Sequence, residues 1–219
     1  MHALTRRGAT CMLLLVTLIW GGGFVASQQA LDLWLSPYLI LTIRFLLGSA
    51  VILLAFLPRI LRTTRRLFLH GCGAGVLLFL GFYTQIVGQG LTTVPNAAFL
   101  TATNVLMVPF LVWLLARRRP RGSIFLLCLA TMAGIVCLTL DGEMRFSPTP
   151  GDGLVLLCAF FFALHIVYLD LVCFHDDSVP VAFWQILTCG VLSACTLLFE
   201  ITQKEQAPVD LLPALPSLL

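Results

Sequence analysis

An all-α, polytopic transmembrane helix bundle is the fold class this sequence predicts, on three observations. The first is composition. Hydrophobic residues make up 59% of the 219 residues and charged residues only 11%, with a mean hydropathy of +1.01. Soluble domains carry about 25% charged residues, and a chain of this size still exposes much of its surface when folded. The composition excludes a soluble enzyme, a nucleic-acid-binding module and a disordered tail. The second is a series of seven continuous apolar runs, each near the ~20 residues that cross a bilayer as a helix. The third is the placement of arginine, which alternates with those runs.

The runs lie at about 10–31, 37–57, 69–92, 96–116, 122–140, 153–174 and 179–199, followed by a tail over 200–219. They are continuous rather than alternating, which excludes a transmembrane barrel. The first has an Arg-bearing start and a small-residue segment Val25-Ala26-Ser27, features shared with a signal peptide. Apolar character resumes through Leu31-Asp32-Leu33-Trp34, so it is read as a span. Pro37 opens the second span, Asn96 is the expected cap of the fourth, and Pro109 interrupts the fourth near the carbonyl of Val105. The eight cysteines form no C-x-x-C pair and mostly lie inside apolar runs. They read as small packing residues, not as metal ligands or disulfides.

Basic residues set the expected orientation. Arg6 and Arg7, then Arg59, Arg62, Arg65 and Arg66, then Arg117, Arg118, Arg119 and Arg121 all fall on one side of a seven-span chain. The other side holds Arg145 and Lys204, and Arg44 lies within a span. A multi-pass protein of the cell membrane with a cytoplasmic N-terminus and an external C-terminus follows.

An internal repeat is also legible. Ser36-Pro37 opens span two and Ser178-Val179-Pro180 opens span seven. Five spans separate the two units, so the second inserts upside down, the arrangement of many secondary transporters. The first unit covers residues 10–140. The second covers 151–219 and holds two spans and a tail.

Trp20-Gly21 with Phe24, Arg44-Phe45, the segment Gly90 to Leu100, Pro109, Gly134 and Gly151-Asp152 occur in the order and spacing of the drug/metabolite transporters, and the chain resembles their EamA domain. The resemblance implies a ten-span carrier made of two inverted five-span halves. This chain departs from it after the seventh span, and Pro213 to Leu219 resembles the approach to an eighth.

The residues singled out as a substrate path are polar or backbone-disturbing groups inside spans. Arg44 lies about 10 Å below the end of span two at 1.5 Å per residue. It is read either as an anion attractor or as a buried anchor for free carbonyls. Gly71, Gly75, Leu78, Phe82, Gln85 and Gln89 share one face of span three. Their two amides either line a cavity or bond between helices. Asn104 and Pro109 mark a polar interruption or a simple kink. Trp20 beside Gly21, Gly22 and Gly23 marks a flexible gate or close packing. His165, with Tyr168 one turn on, is either a proton-coupling group or a neutral hydrogen-bonded imidazole.

No enzyme is expected. His165 and Asp170 spell H-x-x-x-x-D, but side chains five apart on a helix diverge by about 140°. No G-x-S-x-G, H-E-x-x-H or phosphate loop occurs. No cofactor, metal or nucleic-acid partner is expected. The expected partners are the lipid bilayer, a small solute, and a second copy or another chain. The expected function is secondary transport of a small solute. The alternative is a truncated, non-transporting protein or scaffold that needs a partner chain.

Overall fold

The computed structural model describes residues 6–33, 35–117, 119–120, 122–139 and 149–206. Arg118, Arg121, Arg145 and the segment 207–219, all used in the sequence reading, lie outside the described residues. The described chain is helical: α1 (Arg6–Asp32), α2 (Pro37–Ile60), α3 (Arg65–Gln89), α4 (Val94–Ala102), α5 (Asn104–Ala116), α6 (Gly122–Thr139), α7 (Pro150–Val172) and α8 (Ser178–Gln206). Among the described residues six segments are long and apolar enough to span a membrane: five single helices, and α4 with α5 as one. The seventh expected run forms α6, with Gly122–Thr131 as a shorter apolar helix.

Local chemistry starts these helices. Ser36 accepts from the Tyr38 amide with Pro37 in the first turn of α2, and Thr64 accepts from the Leu67 amide to start α3. Thr149 and Asp152 form a reciprocal capping box at α7. Span four is capped by Thr93, which accepts from the Asn96 amide, so Asn96 is the capped residue and not the cap.

Three departures from the sequence reading have physical causes. Span four breaks at Thr103, ahead of Pro109, which sits inside α5. The Thr103 hydroxyl and amide both donate to the Leu100 carbonyl, at 2.6 and 3.2 Å, and this tighter turn ends α4. Span two kinks at Phe56 (φ −130°, ψ 25°), two residues before Pro58, whose ring clashes with the carbonyl one turn back. And α8 continues to Gln206, so the start of the expected tail is helix.

The central helix is α3, packed against both α7 and α8, and α2 lies along α8. Glycine lets these backbones approach. A Cβ at Gly71 would sit 2.6 Å from the Trp184 Cβ of α8, and one at Gly88 would sit 2.8 Å from a Val155 methyl of α7. The core is Leu41, Phe45, Phe79, Phe82, Ile86 and Phe162, with Cys158 and Cys189 buried among them. Those two thiols are the small packing residues that the sequence suggested.

Polar contacts join the helix ends. Ser36 donates to Glu200 at one end of the α2–α8 pair. Arg59 makes a two-pronged contact with Asp177 at the other, the shorter prong 2.8 Å. The two helices therefore run antiparallel. Thr92 donates to Asp152 at 2.6 Å, tying the end of α3 to the start of α7. By contrast α1 packs only lightly on the rest of the bundle, and most of its apolar side chains are exposed.

Candidate functional site

The cleft opens where α1 crosses α2 and α3. It is lined by Trp20, Gly23, Phe24 and Ser27 from α1, Arg44 from α2, and Phe82, Gln85 and Gln89 from α3. On α1 these residues are spaced i, i+3, i+4 and i+7, which is one helical face. On α3 the spacing 82, 85, 89 does the same. Two faces thus meet with Arg44 between them.

The wall is aromatic. The Arg44 guanidinium carbon stands 5.1 Å from the Phe82 ring centroid and 5.9 Å from that of Phe45, within cation–π range. Trp20 lies 6.4 Å from Phe82 and 6.3 Å from Phe162, ring to ring. Phe82 also meets Phe45 and Phe162 edge-on, at 4.9 and 5.0 Å. A Cβ at Gly23 would make ordinary contact with an Arg44 Nη, at 3.7 Å, so α1 passes close beside the guanidinium. Among the described residues no carboxylate pairs with Arg44.

The amides are partly committed. Gln85 Nε2 donates to Thr101 Oγ1 at 3.2 Å. Gln89 Nε2 donates to the Phe24 carbonyl at 2.8 Å and to Gln28 Oε1 at 3.3 Å. Each glutamine therefore bonds between helices and borders the cleft with the same side chain. The open cleft has a volume of about 20 Å³, room for one water-sized group.

Trp20, Arg44, Gln85 and Gln89, four of the eight side chains singled out in the sequence, meet at this cleft. The other four lie elsewhere. Asn104 and Pro109 are half-buried on α5, which packs on α7. His165 Nε2 donates to the Gln185 amide oxygen of α8 at 3.0 Å. Tyr168 places its hydroxyl over Gly73 of α3. Gly23, Phe24 and Ser27 were not singled out as polar path residues, although their spacing from Trp20 carries the signal.

Comparison with known proteins agrees with this architecture. Residues 7–140 match the family model described as the EamA-like transporter family. An "uncharacterized transporter" of Archaeoglobus fulgidus is 33% identical over 197 residues, covering 88% of this chain. The chain spans 59% of that relative's length. A solved crystal structure of a protein has a TM-score of 0.64 at 23% identity, covering 89% of this chain and 68% of its own, which is a likeness of fold. With the family model matching well over half of its length, this membrane-spanning chain belongs to the EamA-like transporter family.

Proposed function

We propose that the chain moves a small solute across the cell membrane by secondary transport, and that the cleft at Arg44 receives the solute's negatively charged head. The observation that carries this reading is a guanidinium that meets no carboxylate among the described residues, flanked by two amides and backed by aromatic rings. A charge inside a span is costly and is normally turned toward a partner or a polar path. In this reading residues 10–140 form the first five-helix unit, residues 151–219 begin an inverted second unit, and the N-terminus is cytoplasmic. His165 and Tyr168 lie toward the arginine-bearing half, further along the proposed path.

The test is uptake into proteoliposomes from a panel of small organic anions, cations and neutral solutes. Saturable uptake of an anion that Arg44→Leu abolishes is the expected result. Uptake confined to cations, or unchanged in the variant, overturns the assignment.

A second reading has its own observation. Trp20 is 48% exposed although it lines the cleft, and Leu18 beside it is 74% exposed. In that reading transport needs a second copy or a partner chain to cover α1. Uptake by vesicles that each hold one monodisperse copy excludes it.

A further inference from the structure

At the arginine-bearing end of the bundle, α3 and the turn after α7 bring together three side chains of unlike chemistry. We propose that His70, Cys173 and Asp176 form a binding site for a divalent metal ion of the zinc class.

The backbone builds two of the ligands into one turn. Cys173 caps α7, its amide donating to the Leu169 carbonyl at 3.1 Å, and the Asp176 amide donates to the Cys173 carbonyl at 3.0 Å. That turn sets the side chains of residues i and i+3 side by side, a C-x-x-D arrangement. His70, in the second turn of α3, supplies the third. Its Nδ1 is 2.6 Å from Asp176 Oδ2, and the three ligand atoms lie within 4.8 Å of one another. Tetrahedral zinc, with bonds of about 2.0–2.3 Å, holds its ligands roughly 3.5 Å apart. The cluster needs to adjust by only about 1 Å to enclose an ion.

The donor set chooses the metal. Sulfur, nitrogen and one carboxylate oxygen suit zinc and cobalt, not magnesium or calcium, which take oxygen cages. Thiolate and carboxylate together carry the two negative charges that balance a divalent cation. The second carboxylate oxygen is already held: Arg66 Nη2 lies 3.3 Å from Asp176 Oδ1, and the Asp176 side chain is only 6% exposed. Such an outer contact orients a ligating carboxylate. The three residues are half-buried, so an ion can enter from the aqueous side and keep a fourth position for water. An ion pair among His70, Asp176 and Arg66 has no need of a thiol; Cys173 is the group that distinguishes a metal site from it.

The ionisable groups around Cys173 are Asp176 on its own turn, Tyr168 on α7, and Arg66 and His70 on α3. Burial and the Asp176 carboxylate push the Cys173 thiol up, with Arg66 opposing. Metal binding must release that proton, so affinity rises with pH. A bound ion ties α3 to the α7–α8 turn, one residue from the Arg59–Asp177 contact.

The test uses the full chain, purified, stripped with a chelator and titrated with Co²⁺. The expected result is a thiolate-to-cobalt charge-transfer band that saturates at one ion per chain and is displaced by Zn²⁺. Cys173→Ser removes the band, Cys72→Ser, which removes the α3 thiol two residues after His70, keeps it, and His70→Ala weakens binding by roughly tenfold or more. Zn²⁺ raises the Tm of the wild-type chain and not that of Cys173→Ser. A wild-type chain that shows no charge-transfer band, or a band that survives in Cys173→Ser, overturns the proposal.

Discussion

Arg44 is the residue on which most depends. Removing it relieves an insertion cost of about 2.5–3.5 kcal/mol on the translocon scale, so Arg44→Leu is expected to insert at least as well as the wild type and to lose uptake. Protein level in the membrane and proteoliposome uptake check the two halves separately. Gln85 allows a finer distinction. Its bond to Thr101 is worth about 0.6 kcal/mol if it resembles other interhelical bonds in membranes. Gln85→Leu is therefore expected to leave Tm nearly unchanged while lowering uptake severalfold. A large fall in Tm with normal uptake would make the amide a packing group. Arg44, Gln85 and Gln89 were legible in the sequence because a polar group in an apolar run stands out. His165 stood out for the same reason, yet it meets Gln185 of α8, a residue twenty positions away on another helix. Polarity marks a residue as unusual; it does not say which helix faces it.

The helices were legible as apolar runs, and their ends were legible where Ser, Thr and Pro stand at the start. An interruption of span four was legible at Asn104 and Pro109, but its cause was not. Proline is the conspicuous helix breaker, and Pro109 is the residue that stands out in this run. Yet Thr103, six residues earlier, ends α4 through its own hydroxyl, and threonine is too common in such helices to mark a break by itself. The glycines of α3 show the same difficulty. Their sequence positions suggest close contact but do not say with what. Gly71 meets Trp184, with the Val181 carbonyl 3.2 Å from where a Cβ would stand. Gly71→Leu must displace backbone on α8 as well as a side chain. Overpacking of this kind costs about 1–3 kcal/mol. The expected outcome is a lower Tm, read by thermal unfolding in detergent; an unchanged Tm would mean that α3 and α8 are not so close.

For the whole molecule, the arginines around the α2–α3 turn stand at one end of the bundle. Arg59 and Arg66 meet Asp177 and Asp176 at one end of the bundle, while Ser36 and Glu200, Thr92 and Asp152 meet at the other. The orientation expected from charge is that the arginine-bearing end is cytoplasmic. Labelling of single cysteines from each side of the membrane checks it. A cysteine placed at Thr64 should react only from the cytoplasmic side, and one placed at Thr93 only from outside. The reverse pattern would invert the molecule. The multi-span helical architecture could be read from composition, which acts along the chain. The central position of α3 could not, because it follows from which small residues meet which neighbours.

Pinning α2 to α8 at both of their ends has a mechanical consequence. Two antiparallel rods packed along their length and joined at each tip resist sliding and splaying, so they behave as one beam. The lightly packed α1 is joined to α3 through the Gln89 bonds to Phe24 and Gln28. If the cleft at Arg44 opens and closes, the hinge lies beside α1 and the beam is the fixed frame against which it swings. Spin labels on the lipid-facing sides of α2 and α8 should then report a single, narrow separation. Labels on α1 and α3 should report a broad or divided one that narrows when a solute binds.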